Sequence, residues 1–328
     1  MDRKKVGKSD VEISAIGLGT TTFGREIGEE TAFEIMDYAL ENGITFFDTA
    51  EAYGGGQAFE NRKNAYGTTD VREKSMEMSS SELIIGRWLK SRGTRKDIEI
   101  CTKISGGRAK AEEIRKSIDA SLERLGTDYI DIYKIHAPDV NTSIDETLDE
   151  LTNQVNLGKT KTIGGSNYTQ AQISEMLDSA KKHSYKRFEI MQPNYSLAVP
   201  DAENDIFPLC AKEEIAITPY SPLGGGFLTG KYTRGNRDSI PKGTRMDVAP
   251  GHIDIYFNDR SFNIVDKLKI KSKELGVPIT QLAMAWVMSH KSVTAALAGA
   301  KSSDHLKNAI NAYNMDLEDI RDEMSSWE

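Results

Sequence analysis

The sequence predicts a (β/α)8 TIM barrel folded as a single domain, and three observations carry that expectation. Eight short apolar runs rich in β-branched residues alternate with eight helical segments. The runs lack strict apolar–polar alternation, as strands buried on both faces should. No shift in composition marks a second domain, although 328 residues could divide into two units of roughly 150. An open doubly wound sheet rarely uses so many repeats, whereas a barrel needs eight.

The first strand is expected over Ser14–Gly19, with its helix over residues 30–42. The second, Thr45–Ala50, carries Ile44-Thr45-Phe46-Phe47 ahead of Asp48, and its helix over 81–91 follows only after a polar interruption, Gly54–Ser80. The third, Ile98–Lys103, leads to a helix over 111–125, where Ile114, Ile118 and Leu122 have the spacing of one buried face. The fourth, Tyr129–His136, precedes a helix over 143–157 in which Asp145, Leu148 and Leu151 repeat that spacing. Thr160–Ser166, Glu189–Tyr195, Ile215–Ser221 and Thr294–Ala300 complete the strands, with helices over 169–182, 203–214, 279–290 and 303–314. After the seventh strand the Gly- and Pro-bearing stretch Leu223–Ile255 and an extra helix near 258–275 break the repeat. In a barrel both interruptions lie on the C-terminal face, where βα loops build the active site.

Hydrophobic residues make up 38% of the chain, with 12 Tyr, 10 Phe and 3 Trp, which supplies a large core and argues against a disordered or fibrous chain. The net charge of -8 argues against nonspecific nucleic-acid binding. Cys101 and Cys210 are too few for a disulfide framework or a cysteine-rich zinc site, and they fit a reducing compartment. No apolar run after the basic N-terminus suits a signal segment, and none approaches the roughly 20 residues of a membrane helix. The expectation is a soluble, cytoplasmic protein without membrane or nucleic-acid partners.

Polar residues at strand ends carry the chemistry. The second strand ends at Asp48 with Tyr53 five residues on, the third at Lys103, and the fourth at His136. Any one of them alone would read as a helix cap, a packing ring or a buried ion pair. Together on one rim they suit acid catalysis. A Tyr is a weak acid, with an ordinary pKa of about 10. A lysine ammonium held by a carboxylate favours its phenolate, which would make Tyr53 a usable general acid. A neutral His136 could orient a carbonyl oxygen by hydrogen bonding.

These residues lie in segments that resemble the aldo-keto reductase superfamily. The most specific are Phe47-Asp48-Thr49-Ala50-Glu51-Ala52-Tyr53-Gly54, Ile100-Cys101-Thr102-Lys103 and Ile135-His136-Ala137-Pro138-Asp139. Gly165-Ser166-Asn167-Tyr168, Gln192-Pro193-Asn194-Tyr195 and Tyr220-Ser221-Pro222-Leu223 follow in order. The resemblance implies that Tyr53 is the proton donor, Lys103 and Asp48 its tuning partners, and His136 the carbonyl-orienting residue. It also implies a nicotinamide cofactor, with Thr20, Thr21 and Asp48 beside it, Ser166, Asn167 and Gln192 on the carboxamide, and Tyr220 stacked on the ring. Ser221, Leu223 and Gly225 match the loop around the pyrophosphate, with Lys231 placed to reach the same phosphates.

Departures appear at the adenosine end, where the family offers an Arg to the ribose 2′-phosphate, then a Gln and a Glu/Asn pair. This chain reads Lys301-Ser302-Ser303-Asp304-His305-Leu306-Lys307-Asn308 after Gly299. Lys301 can pair with a phosphate as a point charge, and Ser302 adds a donor near a helix start. With Gly299, His305 and Asn308 they form the expected adenosine site. NADP is therefore the expected cofactor, and Asp304 keeps NAD as the alternative. The second departure is the 55–80 insertion after Tyr53, expected to be a substrate-pocket lid or a contact between copies in a homo-oligomer, with simple disorder as the remaining alternative.

Other motifs carry less. Gly17-Leu18-Gly19 lacks the third glycine and the adjacent helix of a dinucleotide fingerprint. The five histidines show no ligand spacing, so no metal is expected. Cys101 reads as a small core residue. The resulting expectation is NAD(P)H-dependent reduction of an aldehyde or ketone, with a sugar or keto sugar among the candidates. A cofactor-sensing regulator resembling potassium-channel β-subunits is the alternative, and a hydrolase using Asp48 and Glu51 a weaker third.

Overall fold

The computed structural model describes residues 1–235, 240–317 and 320–327. It opens with an unexpected hairpin, in which β1 (Arg3–Lys5) pairs antiparallel with β2 (Glu12–Ser14). Val6, Val11 and Ile13 pack with Phe46, Cys101, Ile132 and Ile190, so the hairpin plugs the barrel floor.

Eight parallel strands follow: β3 (Ile16–Gly19), β4 (Phe46–Asp48), β5 (Glu99–Ile104), β6 (Ile130–Ile135), β7 (Thr160–Ser166), β8 (Ile190–Gln192), β9 (Ala216–Ile217) and β10 (Ala296–Gly299). They pair in chain order, and β10 pairs with β3. The amide of Thr294 donates to the Ile217 carbonyl at 2.8 Å and that of Leu297 to Pro219 at 3.1 Å, which brings the two edges together. The fold is the expected (β/α)8 barrel. The sixth and seventh ladders are shorter than expected because Pro193 and Pro219 have no N–H to donate.

Around the strands lie α1 (Glu29–Glu41), α3 (Ser80–Arg92), α4 (Ala111–Leu125), α5 (Ile144–Asn156), α6 (Gln170–His183), α7 (Ile206–Glu213), α11 (Ile279–Met288) and α12 (Ser303–Tyr313). Ile114 and Ile118 on α4, and Leu148 and Leu151 on α5, are fully buried as their spacing requires. Asp145 instead lies at the border with α6 and accepts from the Ser179 hydroxyl. No described helix is long and apolar enough to cross a membrane.

The insertion is more ordered than a polar loop. It contains α2 (Gly55–Tyr66), which starts in Gly54-Gly55-Gly56. Those glycines are there for close approach: a Cβ on Gly55 would fall 1.9 Å from the Ser75 carbonyl oxygen. Arg62 and Glu73, both buried, form an ion pair inside the insertion at 2.8 Å. The stretch after β9 is likewise structured, with a 3-10 turn over Gly224–Thr229, then α8 (Arg245–Val248), α9 (Ile253–Tyr256) and α10 (Asp259–Leu275). Residues 236–239 of that stretch lie outside the described residues. The chain closes with α13 (Arg321–Ser325).

Strand alternation sets the floor of the site. Phe46, Cys101, Ile132 and Ile190 form one inward layer. Two residues further along the same strands stand Asp48, Lys103, Lys134 and Gln192, on the same face and one layer nearer the C-terminal rim.

Candidate active site

Those four polar side chains are all buried and satisfy one another. Asp48 Oδ1 accepts from Lys103 Nζ at 2.6 Å, and Oδ2 accepts from Gln192 Nε2 at 2.9 Å. Lys134 Nζ lies 3.7 Å from Oδ2 and donates to Thr218 Oγ1 at 3.3 Å. Lys103 Nζ also donates to the Thr49 carbonyl at 2.6 Å. Burial by itself would neutralise these groups. For Asp48 it is outweighed by the charges of Lys103 and Lys134, which hold the carboxyl below its ordinary value. For Lys103 it is outweighed by Asp48, and the ammonium is held above its ordinary value.

Tyr53 and His136 meet above this layer. The Tyr53 hydroxyl lies 3.5 Å from His136 Nε2, with the rings edge to face at 5.4 Å, and Lys103 Nζ is 5.0 Å from the Tyr53 ring centre. Burial, then the Lys103 charge, depresses His136 to about 4, so its imidazole is neutral near pH 7. Burial also raises Tyr53 above a phenol's ordinary value, more than Lys103 lowers it. The expected lowering is therefore corrected: desolvation beats the ammonium, and the hydroxyl stays protonated. That state is the one a proton donor needs.

From this point a cavity of about 600 Å³ runs between the rim of the barrel and α12. Ser166, Asn167, Gln192 and Tyr220 line it beside Tyr53 and His136. The Tyr220 hydroxyl donates to Asn167 Oδ1 at 2.8 Å, and Asn167 Nδ2 donates to the His136 carbonyl at 2.8 Å, which fixes the Tyr220 ring. Asn167 and Ser221 have φ of 62° and 58°, a left-handed backbone that non-glycine residues adopt uncommonly. Leu223 and Gly225 line the middle of the cavity, and Lys231, Gly299, Lys301, His305 and Asn308 its far end.

The far end has the charge of an anion site. Lys231 is lowered by burial and by Lys301, and His305 by burial, Lys301 and Lys231. Among the described residues no carboxylate forms an ion pair with either lysine; Lys301 Nζ donates to the Gly243 carbonyl at 3.1 Å. A dinucleotide's phosphates would supply the missing negative charge, and the elongated cavity with a fixed aromatic ring fits that ligand class.

Not every expected residue reaches the cavity. Thr21 lines it, whereas Thr20 is buried, with its hydroxyl on the Asp48 carbonyl at 3.0 Å. Ser302 stands at the N-terminal boundary of α12, with no capping bond from its side chain and outside the lining residues. Glu51 is engaged by Ser117, the Ser105 amide and Arg108, and Asp48 by two lysines, so neither carboxylate is free for hydrolysis. Sequence reasoning missed Lys134, which counting back two from His136 would have placed inside the barrel. It also missed Glu26, Arg245 and His252, which line the cavity from a loop and from helical turns too short to carry a periodic signal.

Comparison with known proteins agrees with this geometry. The family model described as Aldo/keto reductase family matches residues 15–327. The chain is 31% identical to the uncharacterized oxidoreductase YrpG of Bacillus subtilis, over 97% of this chain and 93% of that protein. It is 30% identical to a probable voltage-gated potassium channel subunit beta of Arabidopsis thaliana, over 96% and 92%. Norsolorinic acid reductase B of Aspergillus parasiticus is 29% identical, over 95% of this chain and 79% of that protein.

Proposed function

The chain belongs to the aldo/keto reductase family, and on that premise we propose that it reduces an aldehyde or ketone with NADPH, using Tyr53 as the proton donor. The observation that carries this reading is the protonated Tyr53 hydroxyl beside a neutral His136, above a buried Asp48–Lys103 pair. A bound reduced nicotinamide would supply hydride to the carbonyl carbon. The residues of this chain do the rest. His136 Nε2 and the Tyr53 hydroxyl hold the carbonyl oxygen between them, which both polarises the carbonyl and fixes its face. Tyr53 then gives up its proton as negative charge grows on that oxygen. Lys103, held by Asp48, stabilises the phenolate that remains.

Ser166, Asn167 and Gln192 would hold the carboxamide, Tyr220 the ring, and Lys231 the phosphates. Preference for NADPH over NADH rests on Lys301, whose ammonium lacks a carboxylate partner among the described residues. Absorbance of the reduced nucleotide, followed with a panel of aldehydes and ketones, tests the activity. Consumption with at least one carbonyl class is the expected result. Tight nucleotide binding with no turnover on any of them would favour the regulatory reading, which the potassium-channel relative keeps open. Lys301→Ala should weaken NADPH about tenfold or more, the size of a lost charged contact, and leave NADH nearly unchanged. Equal losses for both nucleotides would place Lys301 elsewhere than at the 2′-phosphate.

A further inference from the structure

Beside the main cavity lies a second hollow of about 290 Å³, built by the insertion. One wall is a face of α2 with Ala58, Asn61, Arg62 and Tyr66 at helical spacing; Pro250–His252 form the opposite wall, with Arg25 between them. Two observations place the hollow beside the main cavity. His252 lines both cavities. In addition, α2 begins two residues after Tyr53, so Ala58 stands near the rim and Tyr66 roughly 12 Å further along the helix axis.

The cations around the hollow are already matched. Arg62 donates to both oxygens of Glu73, at 2.8 and 2.9 Å, and Arg25 to both oxygens of Glu26, at 2.7 and 2.9 Å. Arg245 lies 3.7 Å from Glu26. Arg72 pairs with Asp247 at 2.5 Å, tying the insertion to the segment that carries the opposite wall. Burial holds His252 below the ordinary imidazole value, and its Nδ1 faces the Ala249 carbonyl at 3.1 Å. A charged ligand would find no uncompensated partner here. A neutral one finds an amide, an imidazole and a phenol that can each hydrogen-bond, on walls held in place by ion pairs.

Resting on the carbonyl-reductase reading above, we propose that this hollow is a substrate subsite for the uncharged, hydroxylated tail of a polyhydroxy aldehyde or ketone whose carbonyl sits at Tyr53. The substrate is then longer than the reacting centre alone requires, and selectivity for it comes from the insertion.

The test compares kcat/KM for glyceraldehyde, an aldopentose, hexanal and a phosphorylated aldose in the unaltered protein, Asn61→Leu and Ala58→Phe. Leucine removes the amide at nearly constant bulk, and phenylalanine fills the hollow. Both positions line the hollow and neither belongs to the buried core, and unfolding temperature reports whether each variant keeps its fold; if Ala58→Phe does not, Asn61→Leu decides. The unaltered protein should favour the aldopentose. Its kcat/KM relative to glyceraldehyde should fall about tenfold in the variants, the upper size of one lost neutral hydrogen bond. An unchanged ratio, or preference for the phosphorylated or apolar tail, overturns the subsite. If the unaltered protein reduces none of the four, the carbonyl-reductase reading fails instead. The subsite is then decided by calorimetry with a pentitol: weaker binding by the variants supports it, and equal binding by all three proteins overturns it.

Discussion

At the scale of single residues, two opposite uses of burial set the chemistry. Desolvation keeps His136 neutral and Tyr53 protonated, whereas the Asp48–Lys103 contact keeps both of those groups charged in the same low-dielectric layer. The working forms are neutral His136, present above its value of about 4, and protonated Tyr53, present below a value raised beyond a phenol's. The single-turnover rate of reduction should therefore be flat between about pH 5 and 9. A limb near the ordinary histidine value would contradict this. After burial and Lys103, the Lys134 charge adds to the depression of His136, so Lys134→Met should raise the histidine's pKa, read by its NMR titration. A purely structural lysine would change unfolding temperature and leave that titration in place. Asp48, Tyr53, Lys103 and His136 were legible in the sequence because each ends or follows an apolar run. The direction of the Tyr53 shift was not, since it depends on how much water the fold excludes.

At the scale of elements, the insertion changes meaning once its contacts are known. Arg62 and Glu73 belong to a stretch of mixed charge, yet they pair with each other in a buried site, which position in the chain cannot show. The three glycines at the start of α2 are positions where helix and loop backbones touch. Through Arg72 and Asp247 the insertion also holds the segment carrying Arg245 and His252, both of which line the main cavity. It should thus affect the cofactor as well as the carbonyl substrate. Arg72→Ala is expected to speed dissociation of NADPH up to about fivefold, the range of a half-exposed ion pair. Stopped-flow fluorescence reads that rate, and an unchanged one would mean that the segment stays closed without its tie.

At the scale of the whole molecule, the barrel was legible because its strands are apolar runs separated by helices of regular spacing. The floor hairpin and α13 were not, since three strand residues and five helical ones carry too little periodicity to read. Strand lengths were overestimated where prolines end a ladder. What the fold achieves is convergence: residues from β4, β5, β6 and the loop after β4 meet at one rim, and a cavity connects them to the lysines beside α12. The claim on which the account depends is that Tyr53 supplies the proton. Tyr53→Phe removes the hydroxyl and keeps the ring. Measured on a carbonyl that the unaltered protein reduces, kcat should fall at least about 10²-fold, the lower bound for general acid catalysis, while NADPH affinity by fluorescence stays the same. Near-normal turnover by Tyr53→Phe would contradict the account.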